Sequence, residues 1–86
     1  MKVTIYIRDH CSFCDRALKL LREKNINMQV INANHDETAR AQMIEKTGGR
    51  TFPQIIIGNK PIGGCDNLYA LEATGQLDTL LQEASQ

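Results

Sequence analysis

The chain carries no surplus of either charge: ten Lys and Arg residues offset ten Asp and Glu residues across 86 positions. A strongly basic nucleic-acid binder and an acidic interaction tail are thereby excluded as first readings. No run of about 18 apolar residues occurs, so no segment is expected to cross a membrane. The opening Met1-Lys2-Val3-Thr4-Ile5 lacks the apolar stretch of a secretory signal. Cysteine is sparse; three residues are too few, and odd in number, for a disulfide-stapled scaffold. Repeats, low-complexity tracts and linkers are also missing. The remainder is 42% hydrophobic and 23% charged, the mix of a folded protein rather than a disordered one. Residues 1–86 are therefore expected to form a single small domain, cytoplasmic and reduced at rest.

Hydrophobic periodicity divides the chain into eight elements. Residues 2–7 are β-branched and aromatic and read as a strand buried on at least one face. Cys14, Ala17, Leu18 and Leu21 fall at helical spacing, with Arg16, Lys19, Arg22 and Glu23 opposite them, and Lys24-Asn25 ends that helix. Met28 to Ile31 is a second, weaker strand. Asp36 is placed to cap a helix through Ala39, Met43 and Ile44 to Lys46, stopped by Gly48-Gly49. Gln54 to Ile57 is strongly β-forming, Gly58-Asn59-Lys60 is a hairpin turn, and Pro61-Ile62 opens the return strand. Gly63-Gly64-Cys65-Asp66 leads into a helix carrying Leu68, Tyr69 and Leu71. Gly75 separates it from a last helix carrying Leu77, Leu80 and Leu81. The order β-α-β-α-β-β-α-α predicts an α/β fold. Its mixed four-stranded sheet has one parallel pair joined through a helix, one antiparallel hairpin, and helices on both faces.

Cys11-Ser12-Phe13-Cys14 stands where the first strand hands over to the first helix. Free N–H groups and the positive end of the helix dipole stabilise a thiolate there. Cys11, in the loop, is the expected attacking sulfur, and Cys14, one turn in and partly covered, the resolving one. Arg8, Arg16 and Lys19 add positive potential, which Asp9 and Asp15 oppose. One C-x-x-C beside a β-α-β pattern is a redox signal; an incidental buried pair is the plainer alternative. A zinc site wants four ligands, and Cys65, His10 and His35 offer no matching spacing.

Three separated motifs then carry a resemblance: Cys11-Ser12-Phe13-Cys14, Thr51-Phe52-Pro53-Gln54 and Gly63-Gly64-Cys65-Asp66. In that order and spacing the sequence resembles the glutaredoxins of the thioredoxin-fold superfamily, over nearly its whole length. It looks most like the small bacterial glutaredoxins of the third type. The resemblance implies a glutathione-dependent thiol–disulfide oxidoreductase acting on glutathionylated and disulfide-bonded proteins, with reduced glutathione as electron donor. It implies a cis peptide bond before Pro53, turning the Phe52 backbone toward the cysteine of glutathione; a strand-starting proline is the other reading. It implies that the Cys65 and Asp66 N–H groups, beside Gly64, take the γ-glutamyl carboxylate, and that the Asp66 side chain takes the ammonium group. A helix N-cap is the simpler role for Asp66. Arg8 and Arg40 would meet the glycine carboxylate, and Phe13 and Thr51 would complete the groove. Lys46 and Arg50 are left as surface charge.

The family's common active site is Cys-Pro-Tyr-Cys; here Ser12 and Phe13 take the middle positions. Family members with serine at this place sometimes hold a [2Fe–2S] cluster between two monomers, through the first cysteine of each and two glutathiones. That is the alternative function, with Cys11 as the metal ligand and a dimer in place of the expected monomer. No metal is otherwise expected. Cys65 reads as a small, half-buried side chain, with oxidation or glutathionylation as its other reading. His10 and His35 read as exposed loop residues.

Overall fold

The computed structural model describes residues 3–85, so Lys2, the first residue of the expected opening strand, lies outside the described residues. The elements are β1 (Val3–Ile7), α1 (Ser12–Glu23), β2 (Met28–Asn32), α2 (Glu37–Thr47), β3 (Gln54–Ile57), β4 (Lys60–Gly63), α3 (Cys65–Ala73) and α4 (Gln76–Ala84). This is the expected order, with boundaries moved by a residue or two. The sheet runs β2-β1-β3-β4. β1 pairs parallel with β2 (Val3 opposite Met28) and antiparallel with β3 (Val3 opposite Ile57). The β3–β4 hairpin has an irregularity between Ile55 and Ile56.

β1 holds the centre because its residues serve both faces. Val3 and Ile5 join Ile55 and Ile57 beneath α1, α3 and α4, packed with Ala17, Leu21, Leu68 and Leu77. On the opposite side, by strand alternation, lie Thr4, Tyr6, Gln54 and Ile56. There α2, with buried Ala39 and Met43, packs across β3 and β4. β2 is an edge strand with only partial burial, which explains its weaker pattern.

The helix ends follow local chemistry. The Asp36 side chain caps α2 by accepting from the Ala39 N–H at 3.0 Å, and Gly48 closes it at φ +74°. Lys24, at the end of α1, lies 2.8 Å from Glu72 of α3 and 2.9 Å from Asp78 of α4. Hydrogen bonds to Glu72 and Asp78 hold the Lys24 ammonium above its ordinary range. One cation thus ties together the three helices on that face.

Tyr6 is fully buried, yet its hydroxyl has no hydrogen-bond partner among the described residues. An unmet buried hydroxyl costs about 1–3 kcal/mol, whereas its removal with the ring retained is close to neutral. Tyr6→Phe is therefore expected to leave the thermal midpoint unchanged or raise it by a few degrees. A clear fall on calorimetry would show that the hydroxyl is satisfied in solution.

Candidate active site

Cys11 is the N-cap of α1, in extended conformation. Its Sγ accepts the Cys14 N–H at 3.1 Å, the bond a capping oxygen would make. The loop before it is tightly wound: His10 adopts φ +54°, in the left-handed region. Arg8 Nη1 donates to the main-chain oxygens of Asp9 (3.2 Å) and His10 (3.5 Å), which braces this turn. Across the cleft, the Phe52–Pro53 bond is cis, as the resemblance implied, and the Phe52 carbonyl faces the Cys11 thiol at 3.9 Å.

Both cysteines are more covered than the sequence reading expected. Cys11 is 5% exposed and Cys14 1%. Their order nonetheless holds, with Cys11 nearer the surface. Burial pushes the Cys14 thiol up to about 12, and its hydrogen bond to Cys11 adds to the effect. Cys14 therefore stays protonated at neutral pH. Cys65 is 4% exposed and its thiol is also raised, chiefly by burial, in keeping with a small packed side chain.

Two cavities share Phe13, Thr51 and Phe52 as walls. One, of about 310 Å³, lies between Phe13, Thr51 and Phe52 on one side and Gly64, Cys65 and Asp66 on the other. Gly64, not Asp66, is the N-cap of α3. The capping reading of Asp66 is thus corrected: its carboxylate is exposed at the cavity rim, and Asn67 Oδ1 accepts the Gly64 N–H instead (3.3 Å). The Cys65 and Asp66 N–H groups precede the first intrahelical bond, Leu68 N–H to Gly64 O. Gly63 sits at φ +100°, and a Cβ there would lie 2.6 Å from Asn67 Oδ1, so this turn requires glycine.

The second cavity, about 660 Å³, is lined by Arg8, Arg40 and Arg50 together with Phe13, Thr51 and Phe52. Arg50, read from sequence as ordinary surface charge, belongs to this groove. Arg40 is partly committed inward: its Nε and Nη2 donate to the carbonyls of Ala33 and Asn34, each at 2.9 Å, and its guanidinium lies 5.8 Å from the Phe52 ring centroid. It braces the Phe52 loop from behind. Thr51 is steadied by Gln54 Nε2 at 3.1 Å. His35 is exposed as expected, with its Nε2 2.8 Å from Asn34 Nδ2. Asn34 also accepts the Asp9 N–H, so a polar chain runs from the turn after β2 to the cysteine loop. The contacts of Asp9 with Asn34 and of Arg40 with Phe52, between residues far apart in the chain, leave no trace in local periodicity.

The geometry separates the thiols kinetically. Iodoacetamide at neutral pH is expected to label Cys11 first, as mapped by peptide mass spectrometry. In a Cys11→Ser, Cys65→Ser double variant, alkylation of Cys14 should be slow and should keep accelerating above pH 9 without a plateau. Equal labelling of Cys11 and Cys14 at neutrality would contradict the geometry.

Comparison with known proteins places this arrangement. Residues 3–62 match the Glutaredoxin family model. Glutaredoxin 3 of Escherichia coli (strain K12) is 44% identical over 80 residues, covering 93% of this chain and 96% of that protein. Among solved structures, the buckwheat glutaredoxin–glutathione complex superposes with a TM-score of 0.86 at 29% identity, over 96% of this chain and 78% of that one. A further structure, reported under metal binding of glutaredoxins, is 48% identical with a TM-score of 0.68, over 93% and 87% of the two chains. With its paired cysteines at a helix start facing a cis-proline loop, the chain belongs to the glutaredoxin family of glutathione-dependent thiol–disulfide oxidoreductases.

Proposed function

We propose that residues 1–86 work as one glutaredoxin domain, a cytoplasmic monomer that reduces glutathione mixed disulfides and protein disulfides, with Cys11 as nucleophile and Cys14 as resolving thiol. The observation that carries this division of labour is the capping bond from the Cys14 N–H to the Cys11 sulfur, above a Cys14 thiol pushed up to about 12. A negative sulfur at Cys11 is stabilised by that N–H and by the helix dipole.

With a glutathionylated protein, the Cys11 thiolate attacks the glutathione sulfur. The protein leaves as a thiolate and takes up a proton from water. The thiolate of a second glutathione then attacks the Cys11–glutathione disulfide, releasing glutathione disulfide and restoring Cys11. With a protein disulfide, Cys11 forms a mixed disulfide and one substrate thiolate departs. Cys14 then loses its proton to water and attacks Cys11 Sγ, closing the Cys11–Cys14 bond; the second substrate thiolate leaves and takes up a proton from water. Two glutathiones reopen that bond.

The tripeptide is proposed to lie across both cavities, a reading supported by the glutathione bound to the buckwheat relative. The γ-glutamyl carboxylate would meet the Cys65 and Asp66 N–H groups beside Gly64, and its ammonium the Asp66 carboxylate. The central cysteine would pair with the Phe52 backbone beside Pro53, and Phe13 and Thr51 would form the walls. The glycine carboxylate would meet Arg8, Arg40 and Arg50.

A second reading concerns the [2Fe–2S] cluster, favoured by Ser12 and by the relative reported under metal binding. Among the described residues no three His, Cys, Asp or Glu side chains stand together to hold a metal. One chain therefore offers only Cys11, and the cluster would need a second copy and two glutathione thiolates. Anaerobic reconstitution with iron, sulfide and glutathione decides it: a brown dimer supports this reading, and a colourless monomer dismisses it.

Paired serine variants test the main reading. Cys11→Ser is expected to drop both activities to the uncatalysed rate. Cys14→Ser should retain turnover of glutathione mixed disulfides while losing reduction of protein disulfides. Retention of activity in Cys11→Ser would reverse the assignment. Arg50→Ala should raise KM for glutathione several-fold, on the order of one exposed charge pair.

A further inference from the structure

Beyond the positive potential it adds near Cys11, Arg16 lines neither cavity of the site. It is exposed on α1, five residues beyond Cys11, with its Cζ 5.9 Å from the Phe13 ring centroid and 5.2 Å from that of Tyr69. The Tyr69 hydroxyl donates to the Arg16 carbonyl at 3.1 Å, locking α3 against α1 at this point. The guanidinium is thus held between two rings rather than swinging freely. Asp15 is its neighbour in the chain, yet none of the ion pairs among the described residues includes Arg16. Its carboxylate-binding edge is uncommitted. Phe13, at 51% exposure, is one of only two large hydrophobic residues so exposed among the described residues.

Position gives this ledge its meaning. Phe13 lines both cavities, whereas Arg16 and Tyr69 line neither. The surface therefore begins two residues from the reacting sulfur and continues away from the space proposed for the tripeptide. The protein half of a substrate disulfide must leave Cys11 over ground that glutathione does not occupy. A planar cation flanked by aromatic rings suits an acidic side chain beside apolar or backbone surface.

The geometry points to the ledge of Phe13, Arg16 and Tyr69 as the docking surface for the protein part of the substrate, selecting segments with Asp or Glu beside the target cysteine. This inference rests on the reading that glutathione fills the two cavities.

The test compares wild type, Arg16→Glu and Arg16→Lys on three substrates. Two are glutathionylated peptides differing only in a pair of Glu or Lys residues flanking the cysteine; the third is the mixed disulfide of glutathione and 2-mercaptoethanol. Arg16→Glu is expected to raise KM for the Glu peptide about fivefold or more and to lower it for the Lys peptide. Any change in turnover through the field of Arg16 at Cys11 should be common to all three substrates, so the ratio of KM between the Lys and Glu peptides carries the test, and that ratio should shrink in high salt. Arg16→Lys should keep part of the preference. Equal KM for both peptides in wild type, or an equal effect of Arg16→Glu on all three substrates, would overturn the inference while leaving the oxidoreductase reading intact. Failure of wild type on the small disulfide would instead overturn that reading and this inference with it. A dimer by sedimentation that Arg16→Glu dissolves would assign the ledge to a second copy and also overturn it.

Discussion

A sulfur atom in place of a capping oxygen is the constraint around which this small fold is arranged. At the start of a helix, N–H groups lack intrahelical partners and the backbone dipoles converge. Cys11 meets that need with Sγ, accepting from Cys14 N–H at 3.1 Å. The same contact that ends the strand-to-helix turn also favours a negative charge on the atom that reacts. β1 at the sheet centre delivers the turn, and the cis-proline loop closes over it from β3. Moving the cap by one residue would misplace both structure and chemistry.

Burial then divides the roles of the two thiols. Cys11 sits at the surface end of α1 and Cys14 beneath it, and the low-dielectric setting pushes Cys14 up to about 12. Cys14 is thereby kept neutral, three residues on from the sulfur that caps the helix. Around this pair the arginines differ in what they contact. Arg40 points part of its guanidinium into the Ala33–Asn34 backbone and braces Phe52. Arg8 steadies the cysteine loop, and Arg50 lines the open groove.

Most of the architecture could be read before any coordinates, because strand and helix periods report which side of an element is buried. Ile55 and Ile57, or Ala17 and Leu21, declare their faces directly. The short motifs located the cysteines, Pro53 and the Gly63-Gly64 turn. What stayed hidden were relations between distant loops. Arg50 reads as surface charge until the Thr51–Phe52 loop folds beside Arg8. The alternative of Asp66 as a helix cap stays open in the sequence until Gly64 proves to be the cap residue, with Asn67 accepting its N–H. The depth of Cys11 beneath the Phe52 carbonyl depends on residues 41 positions apart, a separation no local pattern encodes. The Tyr6 hydroxyl without a partner could not be foreseen either, since a tyrosine in a strand ordinarily finds one.

The most direct test of the central claim is to find where glutathione becomes attached. The wild-type reduced protein would be exposed briefly to limiting glutathione disulfide, quenched in acid and mapped by peptide mass spectrometry. The account predicts glutathione on Cys11 as the first covalent species, followed by the Cys11–Cys14 disulfide. Initial attachment at Cys14 or Cys65, with Cys11 unmodified, would contradict it.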